Sequence, residues 1–214
     1  DKGTAVMTSA GAAICGAAAV VATEPIVKAE PHKTAVAVAT VVIFGTIAMF
    51  LYPMMYRTGL LPMSEEVFGI YAGATIHNVG HAIAAGEAVS TAATNTTIIV
   101  KMTRVMLLAP ALLVIGWFLN RRSQDNEAGS GLVIPWFAFG FIAVAAFNSF
   151  GLLDQNVVDS IVAFDAFLLT VAMTGLGVNT VLGKFKGIGW ESLKLAFILT
   201  IWLIMGGYAL TRLL

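Results

Sequence analysis

Two histidines and an asparagine interrupt an otherwise apolar stretch, GATIHNVGHAIAAGE, at residues 73–87. His77 and His81 are four residues apart and therefore share one helix face, with Asn78 beside them. A histidine pair at this spacing can bind zinc, but the stretch lacks the glutamate that follows the first histidine of the zinc-protease motif. No further cluster of cysteine and histidine supplies a third ligand. We therefore expect no metal and no cofactor. A polar lining that hydrogen-bonds substrate or relays protons, and histidines merely satisfied between helices, both stay open.

Two cations open the next apolar stretch, VKMTRVMLLAPALLVIGWFL. The apolar run over 105–119 is too short to cross a bilayer alone, so the helix includes the turn with Lys101 and Arg104, unless it is a partial span. At a spacing of three residues, the two side chains face the same way. They either extend to the lipid headgroups or form an electropositive mouth for an anion.

A carboxylate, Asp165, lies well inside the apolar stretch VVDSIVAFDAFLLTVAM. Carboxylates inside a membrane are costly and are usually functional or paired. We predict that Asp165 binds a proton or a cation, or that it pairs with Arg104 or a histidine.

Two other stretches are built from small residues, GAAICGAAA at 11–19 and VAMTGLGVNT at 171–180. A break near Cys15 in the first, and near Thr174 in the second, would aim backbone N–H groups and a positive helix end at an anion. The alternative is a continuous helix whose small residues allow close packing between neighbours. Cys15 is a candidate reactive thiol, although a thiol in apolar surroundings is usually inert.

The composition shows where these residues must act. Of the 214 residues, 58% are hydrophobic and 11% are charged, whereas soluble domains carry roughly 25% charged residues. The chain is therefore predicted to be an integral membrane protein. The formal net charge is zero, which gives no basic field for nucleic acid, and one cysteine excludes an internal disulfide. The first residue is Asp and no basic region precedes the first apolar run, so we expect a processed or partial chain rather than a signal peptide.

Seven segments are long and apolar enough, or nearly so, to cross a bilayer, which takes about 20 residues. The expected fold class is an all-α membrane protein, a multi-helix transporter bundle with inverted repeats and two discontinuous helices. The segments lie at 4–23, 34–56, 66–86, 95–120, 132–153, 157–181 and 191–213.

The order of these segments suggests an internal repeat. A segment broken by small residues at 4–23 precedes a plain helix at 34–56, and the broken stretch at 171–180 likewise precedes a plain helix at 191–213. We predict that 1–56 holds the last two segments of a first repeat, and that 66–214 holds a second repeat of about five segments. Paired interruptions in two halves are typical of a transporter's midplane binding site.

Four ordered motifs resemble the YeiH-like family of bacterial inner-membrane proteins, whose members carry the label of sulfate exporters. The motifs are GAAICGAAAVVATEPIVKA, VAVATVVIFGTIAMFLYP, GIYAGATIHNVGHAIAAG and VKMTRVMLLAP. The resemblance implies a protein of about ten helices in two inverted repeats, akin to bile-acid and sodium/proton transporters, with broken helices at 12–18 and 174–180 that cross. The first helices of that pattern are not part of this sequence.

We therefore predict a secondary transporter, not an enzyme, that exports a small anion such as sulfate or a sulfonate across the bacterial inner membrane. The alternatives are a proton- or sodium-coupled cation antiporter, a non-transporting scaffold, and a metalloenzyme built on the two histidines. The expected partners are the lipid bilayer, an inorganic or organic anion, and a proton or sodium ion, with homo-oligomerisation left open. The predicted substrate-binding residues are Cys15, Gly16, His77, Asn78, His81, Thr174 and Asn179; Lys101 and Arg104 attract the anion, and Asp165 couples the ion.

Overall fold

The computed structural model describes residues 2–120, 136–151, 153–179 and 190–213, and within these ranges the chain is helical and contains no strand. The helices are α1 (Lys2–Ala13), α2 (Ala17–Val27), α3 (Pro31–Arg57), α4 (Glu65–Thr75), α5 (Val79–Glu87), α6 (Thr91–Met106), α7 (Leu108–Asn120), α8 (Trp136–Ser149), α9 (Gln155–Asn179) and α10 (Trp190–Thr211).

Each of the seven predicted segments coincides with one helix or with two consecutive helices. The pairs are α1–α2, α4–α5 and α6–α7, whereas α3, α8, α9 and α10 are single helices. By length and composition alone, the stretches Pro31–Arg57, Thr91–Phe118 and Trp190–Thr211 are apolar enough to cross a membrane. The all-helical class is therefore confirmed, while the inverted repeat and the division into 1–56 and 66–214 stay predictions.

The chain divides into two compact units. One comprises Asp1–Ile134 with Gly187–Leu214, and the other comprises Pro135–Lys186. The first unit holds α1 to α7 and α10, and it contains the three apolar core clusters. The second holds α8 and α9. The two units are considered separately below.

Serines and acidic residues start two of the helices. The Ser64 side chain accepts a hydrogen bond from the Val67 N–H at 3.3 Å, and Glu65 and Glu66 occupy the first turn of α4. Ser90 caps α6 in the same way, through the Ala93 N–H at 3.2 Å. Such side chains satisfy N–H groups that a helix leaves free, and the carboxylates complement its positive end. The Ser-Glu-Glu sequence at residues 64–66 thus fixes where α4 begins.

Two glycines spaced four apart let α4 pack closely on α6. A methyl group on Gly69 would lie 2.5 Å from the Ala93 carbonyl oxygen, and one on Gly73 would lie 2.8 Å from the Thr97 carbonyl oxygen. The Thr97 hydroxyl also donates to the Gly69 carbonyl at 3.2 Å. Glycines at this spacing allow two helices to approach in a membrane, where burial of apolar surface alone does not drive association. This approach brings the last turns of α6 against the end of α4.

Gly69→Ala is expected to destabilise the protein by about 1–3 kcal/mol, because the added methyl forces the α4 and α6 backbones apart. At about 2–4 °C for each kcal/mol, thermal unfolding in detergent would then begin several degrees lower. Gly140→Ala in α8 is the control, because nothing lies within 4 Å of the added methyl and alanine favours the helix. Equal melting temperatures for the two variants would contradict this account of α4–α6 packing.

The helix predicted to break at 174–180 is continuous over its described part. Helix α9 runs through Asn179, so the predicted interruption is not found over 174–179, and residue 180 lies outside the described residues. The Thr174 hydroxyl donates to the Thr170 carbonyl at 2.8 Å. A helix can therefore contain this threonine without opening, because the hydroxyl is satisfied within the preceding turn.

Candidate functional site

Two interruptions meet inside the first unit. Residues 14–16 separate α1 from α2, and residues 76–78 separate α4 from α5. The Asn78 side-chain oxygen accepts a hydrogen bond from the Ala17 N–H at 3.0 Å, across 61 positions of sequence. Asn78 precedes α5, and Ala17 is the first residue of α2. The N-terminal ends of two helices therefore converge on one amide.

Gly16 makes this convergence possible. Its φ of 79° and ψ of −129° lie in a region that is essentially restricted to glycine. A methyl group at this position would overlap the side-chain oxygen of Asn78. Gly16 thus lies between α1 and α2, where its lack of a side chain leaves room for Asn78.

The C-terminal ends of the two preceding helices converge on Arg104. Its guanidinium donates to the Ala12 carbonyl of α1 at 3.0 Å, and to the carbonyls of Gly73 and Ile76 at 3.3 and 3.4 Å. The Lys101 ammonium also donates to the Ile76 carbonyl. The last carbonyls of a helix have no intrahelical partner and carry a partial negative charge, so cations are favoured there.

Lys101 does not reach the headgroups. Its side chain is 0% exposed, and its donation to the Ile76 carbonyl holds the ammonium inside the protein. The prediction that Lys101 and Arg104 face the same way is confirmed, since both donate to Ile76. The snorkelling alternative is wrong for Lys101, because a nearer backbone acceptor exists within the fold.

Among the described side chains, no carboxylate pairs with either cation. The recorded ion pairs join Glu30 to His32 and Lys33, and Glu191 to Lys194, at distances of 3.2–3.3 Å. All of these pairs lie at helix ends. The place where the two interruptions meet therefore holds a buried and a half-buried cation without a carboxylate partner, within the part of the chain that the structure describes.

A chain of hydrogen bonds continues from Asn78 into α3. The Asn78 amide nitrogen lies 3.1 Å from His81 Nδ1, and His81 Nε2 lies 3.3 Å from the Thr46 hydroxyl. The Thr46 hydroxyl itself donates to the Val42 carbonyl at 2.9 Å. Gly45 makes room for the imidazole, since a methyl there would lie 2.8 Å from His81 Nδ1.

His77 is buried beside these hydrogen bonds, and one of its ring nitrogens has no partner among the described residues. It is 1% exposed, and its Nδ1 makes no hydrogen bond to any described residue. Within the described residues, no group of three or more histidine, cysteine and acidic side chains could hold a metal. A metal centre on His77 and His81 would therefore need ligands from outside those residues.

Cys15 lies in an apolar cluster, within electrostatic reach of Lys101 and Arg104. It is 5% exposed and packs with Ile14, Ala19, Leu108 and Leu112. The thiol is free of any disulfide. Its predicted contact with substrate stays a prediction.

The remaining predicted residues belong to the second unit. Thr174 is exposed on α9. The side chains of Asp165 and Asn179 lie outside the described part of the structure, although α9 contains both positions. The structure thus brings Gly16, His77, Asn78, His81, Lys101 and Arg104 together within the first unit, and the roles of all ten predicted residues stay predictions.

Several groups at the site were not predicted. The carbonyls of Ala12, Gly73 and Ile76 carry no side-chain signal, because every residue has a carbonyl. Gly45 and Thr46 do leave one: they form a Gly-Thr pair within the apolar run VVIFGTIAM, which we interpreted as a plain helix. A small residue next to a hydroxyl in such a run indicates a face turned toward protein.

Together, long apolar helices, interruptions satisfied within the protein and buried cations define a multi-pass membrane protein. The family described as conserved hypothetical protein 698 matches residues 1–196, and the chain belongs to this family. The predicted resemblance to YeiH-like proteins is therefore confirmed, and the protein is placed in the bacterial inner membrane.

Three relatives illustrate the match. The chain is 47% identical over 216 residues to a UPF0324 membrane protein of Bacteroides thetaiotaomicron, covering 99% of the chain and 64% of that relative. It is 46% identical over 216 residues to a UPF0324 membrane protein of Bordetella bronchiseptica, covering 100% and 67%. It is 50% identical over 211 residues to the UPF0324 inner membrane protein YeiH of Escherichia coli K12, covering 98% and 60%. The chain thus spans about three fifths to two thirds of the length of these relatives. No solved structure matches it.

Proposed function

We propose that the protein is a secondary transporter that binds a small oxyanion, such as sulfate or a sulfonate, where the interruptions at 14–16 and 76–78 meet. The anion would cross the inner membrane chemically unchanged. On this proposal, the two interruptions are a pair of discontinuous helices, and one bundle moves against another to expose the site alternately. The observation that carries the proposal is that the buried Lys101 and the half-buried Arg104 have no carboxylate partner in the described structure.

The charge balance favours an anion. Each helix C-terminus carries roughly −0.5 of an elementary charge, so the two ends near Arg104 offset only about −1 of the +2 from the side chains. The N-terminal ends of α2 and α5 add roughly +0.5 each. An uncompensated buried ion costs several kcal/mol, and an anion at the crossing would remove that cost.

Free N–H donors add to this argument. Gly16, which precedes α2, has no side chain to cap it, and the side chain of Asn78 makes no capping bond to α5. The side-chain oxygen of Asn78 instead accepts a hydrogen bond from the Ala17 N–H. Apart from the Ala17 N–H, the first-turn N–H groups of α2 and α5 therefore receive no capping bond from the residue that precedes their helix, and such groups favour anionic oxygens.

The geometry is less suited to the sodium-coupled alternative. A sodium ion at a helix crossing would be bound by backbone carbonyl oxygens. The carbonyls of Ala12, Gly73 and Ile76 already accept hydrogen bonds from Lys101 and Arg104. Coupling through Asp165 stays a prediction that an Asp165→Asn variant can test.

Sulfate is expected to raise the melting temperature of the purified protein, whereas sodium and potassium chloride at matched ionic strength are not. A ligand that binds only the folded state stabilises by about 2.7 kcal/mol at one hundred times its dissociation constant. Uptake of labelled sulfate into proteoliposomes measures transport directly. Stabilisation by sodium ions and not by any oxyanion would instead favour the cation antiporter, and an absence of both effects would favour a scaffold.

A further inference from the structure

We infer that His81 binds the coupling proton, and that protonation of its Nδ1 releases Asn78 from the first turn of α2. From the sequence, His81 was predicted only to line a polar path or to relay protons. This role of His81 does not involve Asp165. Its consequence for transport rests on the proposed function. The argument depends on which atoms of the hydrogen-bond chain can donate and which can accept.

The direction of the chain is fixed at its first member. The Ala17 N–H can only donate, so Asn78 must present its side-chain oxygen to Ala17. The amide nitrogen of Asn78 then faces His81 Nδ1 at 3.1 Å. Because an amide NH₂ group can only donate, Nδ1 must be an acceptor and carries no proton.

The contact between His81 Nε2 and Thr46 is consistent with a neutral ring that carries no proton on Nδ1. A neutral imidazole with a bare Nδ1 carries its proton on Nε2, which lies 3.3 Å from the Thr46 hydroxyl. The Thr46 oxygen can accept a hydrogen bond from this Nε2–H, because the hydroxyl hydrogen of Thr46 is donated to the Val42 carbonyl. Each of the four hydrogen bonds that run from Ala17 through Asn78, His81 and Thr46 to Val42 therefore joins a donor to an acceptor in a single arrangement.

A proton on Nδ1 breaks this arrangement. Two donors, Nδ1–H and the Asn78 NH₂ group, would then face each other. Rotating the amide by 180° restores that contact but places the NH₂ group against the Ala17 N–H, which is also a donor. The ring has little room to withdraw, since the Gly45 backbone lies against it. Protonation of His81 therefore costs the hydrogen bond that joins the two interruptions.

The charge nearest to His81 also opposes a proton on its ring. The titratable groups that face His81 are Lys101 of α6 and His77 of the α4–α5 connection, while α3 presents Gly45 and Thr46, which do not titrate. A charged imidazole would add a positive charge beside Lys101. An anion at the crossing would offset that charge and could accept the freed Ala17 N–H, so proton and anion are expected to bind cooperatively.

The experiment measures amide hydrogen exchange of the segment containing Ala17 as a function of pH, with purified protein and without added anion. After correction for intrinsic exchange, protection of this segment is expected to fall roughly tenfold on acidification from about pH 8 to about pH 4.5, well below the ordinary titration range of a histidine, as one hydrogen bond is lost. A peptide from the middle of α10 serves as the internal reference. Sulfate binding, measured by thermal shift, is expected to strengthen over the same range.

The three histidines of the chain, His32, His77 and His81, allow a matched set of variants. Gln at position 81 can offer an oxygen to Asn78 and an NH₂ group to Thr46, yet it does not titrate. His81→Gln is therefore expected to keep the segment protected at every pH. The double variant His32→Gln/His77→Gln retains only His81 and is expected to keep the full pH response. It also serves if His81→Gln fails to fold.

A pH response that survives in His81→Gln, or disappears in the double variant, would overturn the inference. So would a wild-type segment whose protection does not change with pH. The proposed function fails separately: a normal exchange response with no effect of sulfate would leave the His81 switch standing and remove the anion. Sulfate binding without a pH-dependent change in protection would support the anion and remove the His81 switch.

Discussion

Replacing Lys101 with methionine is expected to abolish stabilisation by sulfate while leaving the unliganded protein at least as stable as before. A hydrogen bond to a charged group contributes about 1.5–3 kcal/mol, so affinity should fall roughly 10- to 150-fold. The Lys101 ammonium has three donors, and the Ile76 carbonyl takes only one of them. The others are available to an anion, and the methionine side chain supplies none.

The sign of the effect on stability separates this prediction from simple damage. A buried cation without a carboxylate costs several kcal/mol of desolvation, which exceeds what its one hydrogen bond to Ile76 returns. Arg104 still donates to the same carbonyl in the variant, at 3.4 Å. The melting temperature without ligand should therefore stay constant or rise, whereas a residue needed mainly for folding would lower it.

Two further variants control for charge. Lys101→Arg keeps the cation and is expected to recover part of the sulfate response. Lys194→Gln also removes one positive charge, but Lys194 is exposed and pairs with Glu191 at 3.2 Å, so its sulfate response should match the wild type. A full sulfate response in Lys101→Met would remove the charge argument for an anion.

The second large effect is expected at Gly16, where Gly16→Ala should lower the melting temperature by about 6–12 °C. Backbone strain at this φ and ψ costs about 1–3 kcal/mol. The added methyl also displaces the Asn78 oxygen, and the hydrogen bond to Ala17 lost with it costs about another 1 kcal/mol. The sum, about 3 kcal/mol, converts at roughly 2–4 °C for each kcal/mol.

Gly59 provides a control with nearly the same φ. Its φ is 77°, and nothing lies within 4 Å of a methyl group placed on it. Gly59→Ala therefore bears the cost of the backbone conformation without a collision. If Gly16→Ala and Gly59→Ala lowered the melting temperature equally, Asn78 would not occupy the space beside Gly16.

A double-mutant cycle isolates the contact itself. Asn78→Ala removes the side chain that the methyl would strike, so Gly16→Ala in that background should cost only the backbone strain. The coupling between the two positions is expected to be about 1 kcal/mol or more. Strictly additive melting shifts would indicate that the two interruptions do not touch.

The amino-acid sequence determined the class of this protein and the positions of its helices. A chain that is 58% hydrophobic and 11% charged cannot cover itself with a water-facing surface. The length of apolar runs located all seven segments, and Ser64 with two glutamates marked the start of α4. These features are local, because hydropathy and helix caps depend on neighbouring residues. The spacing of Lys101 and Arg104 likewise indicated a shared face.

Only the tertiary structure decided which interruption meets which. The interruption at 14–16 lies against the one at 76–78, whereas α9 is continuous over 174–179. Small residues allow either a break or close packing, so their pattern cannot choose between the two. Two long-range hydrogen bonds show which interruptions meet. One joins Asn78 to Ala17 across 61 positions of sequence, and the other joins Arg104 to Ala12 across 92 positions. Backbone carbonyls accept in the second contact, and they leave no trace in a sequence. The same residues could turn Lys101 and Arg104 toward lipid headgroups or toward the ends of helices. The fold decides this, because it places backbone carbonyls within reach of both side chains.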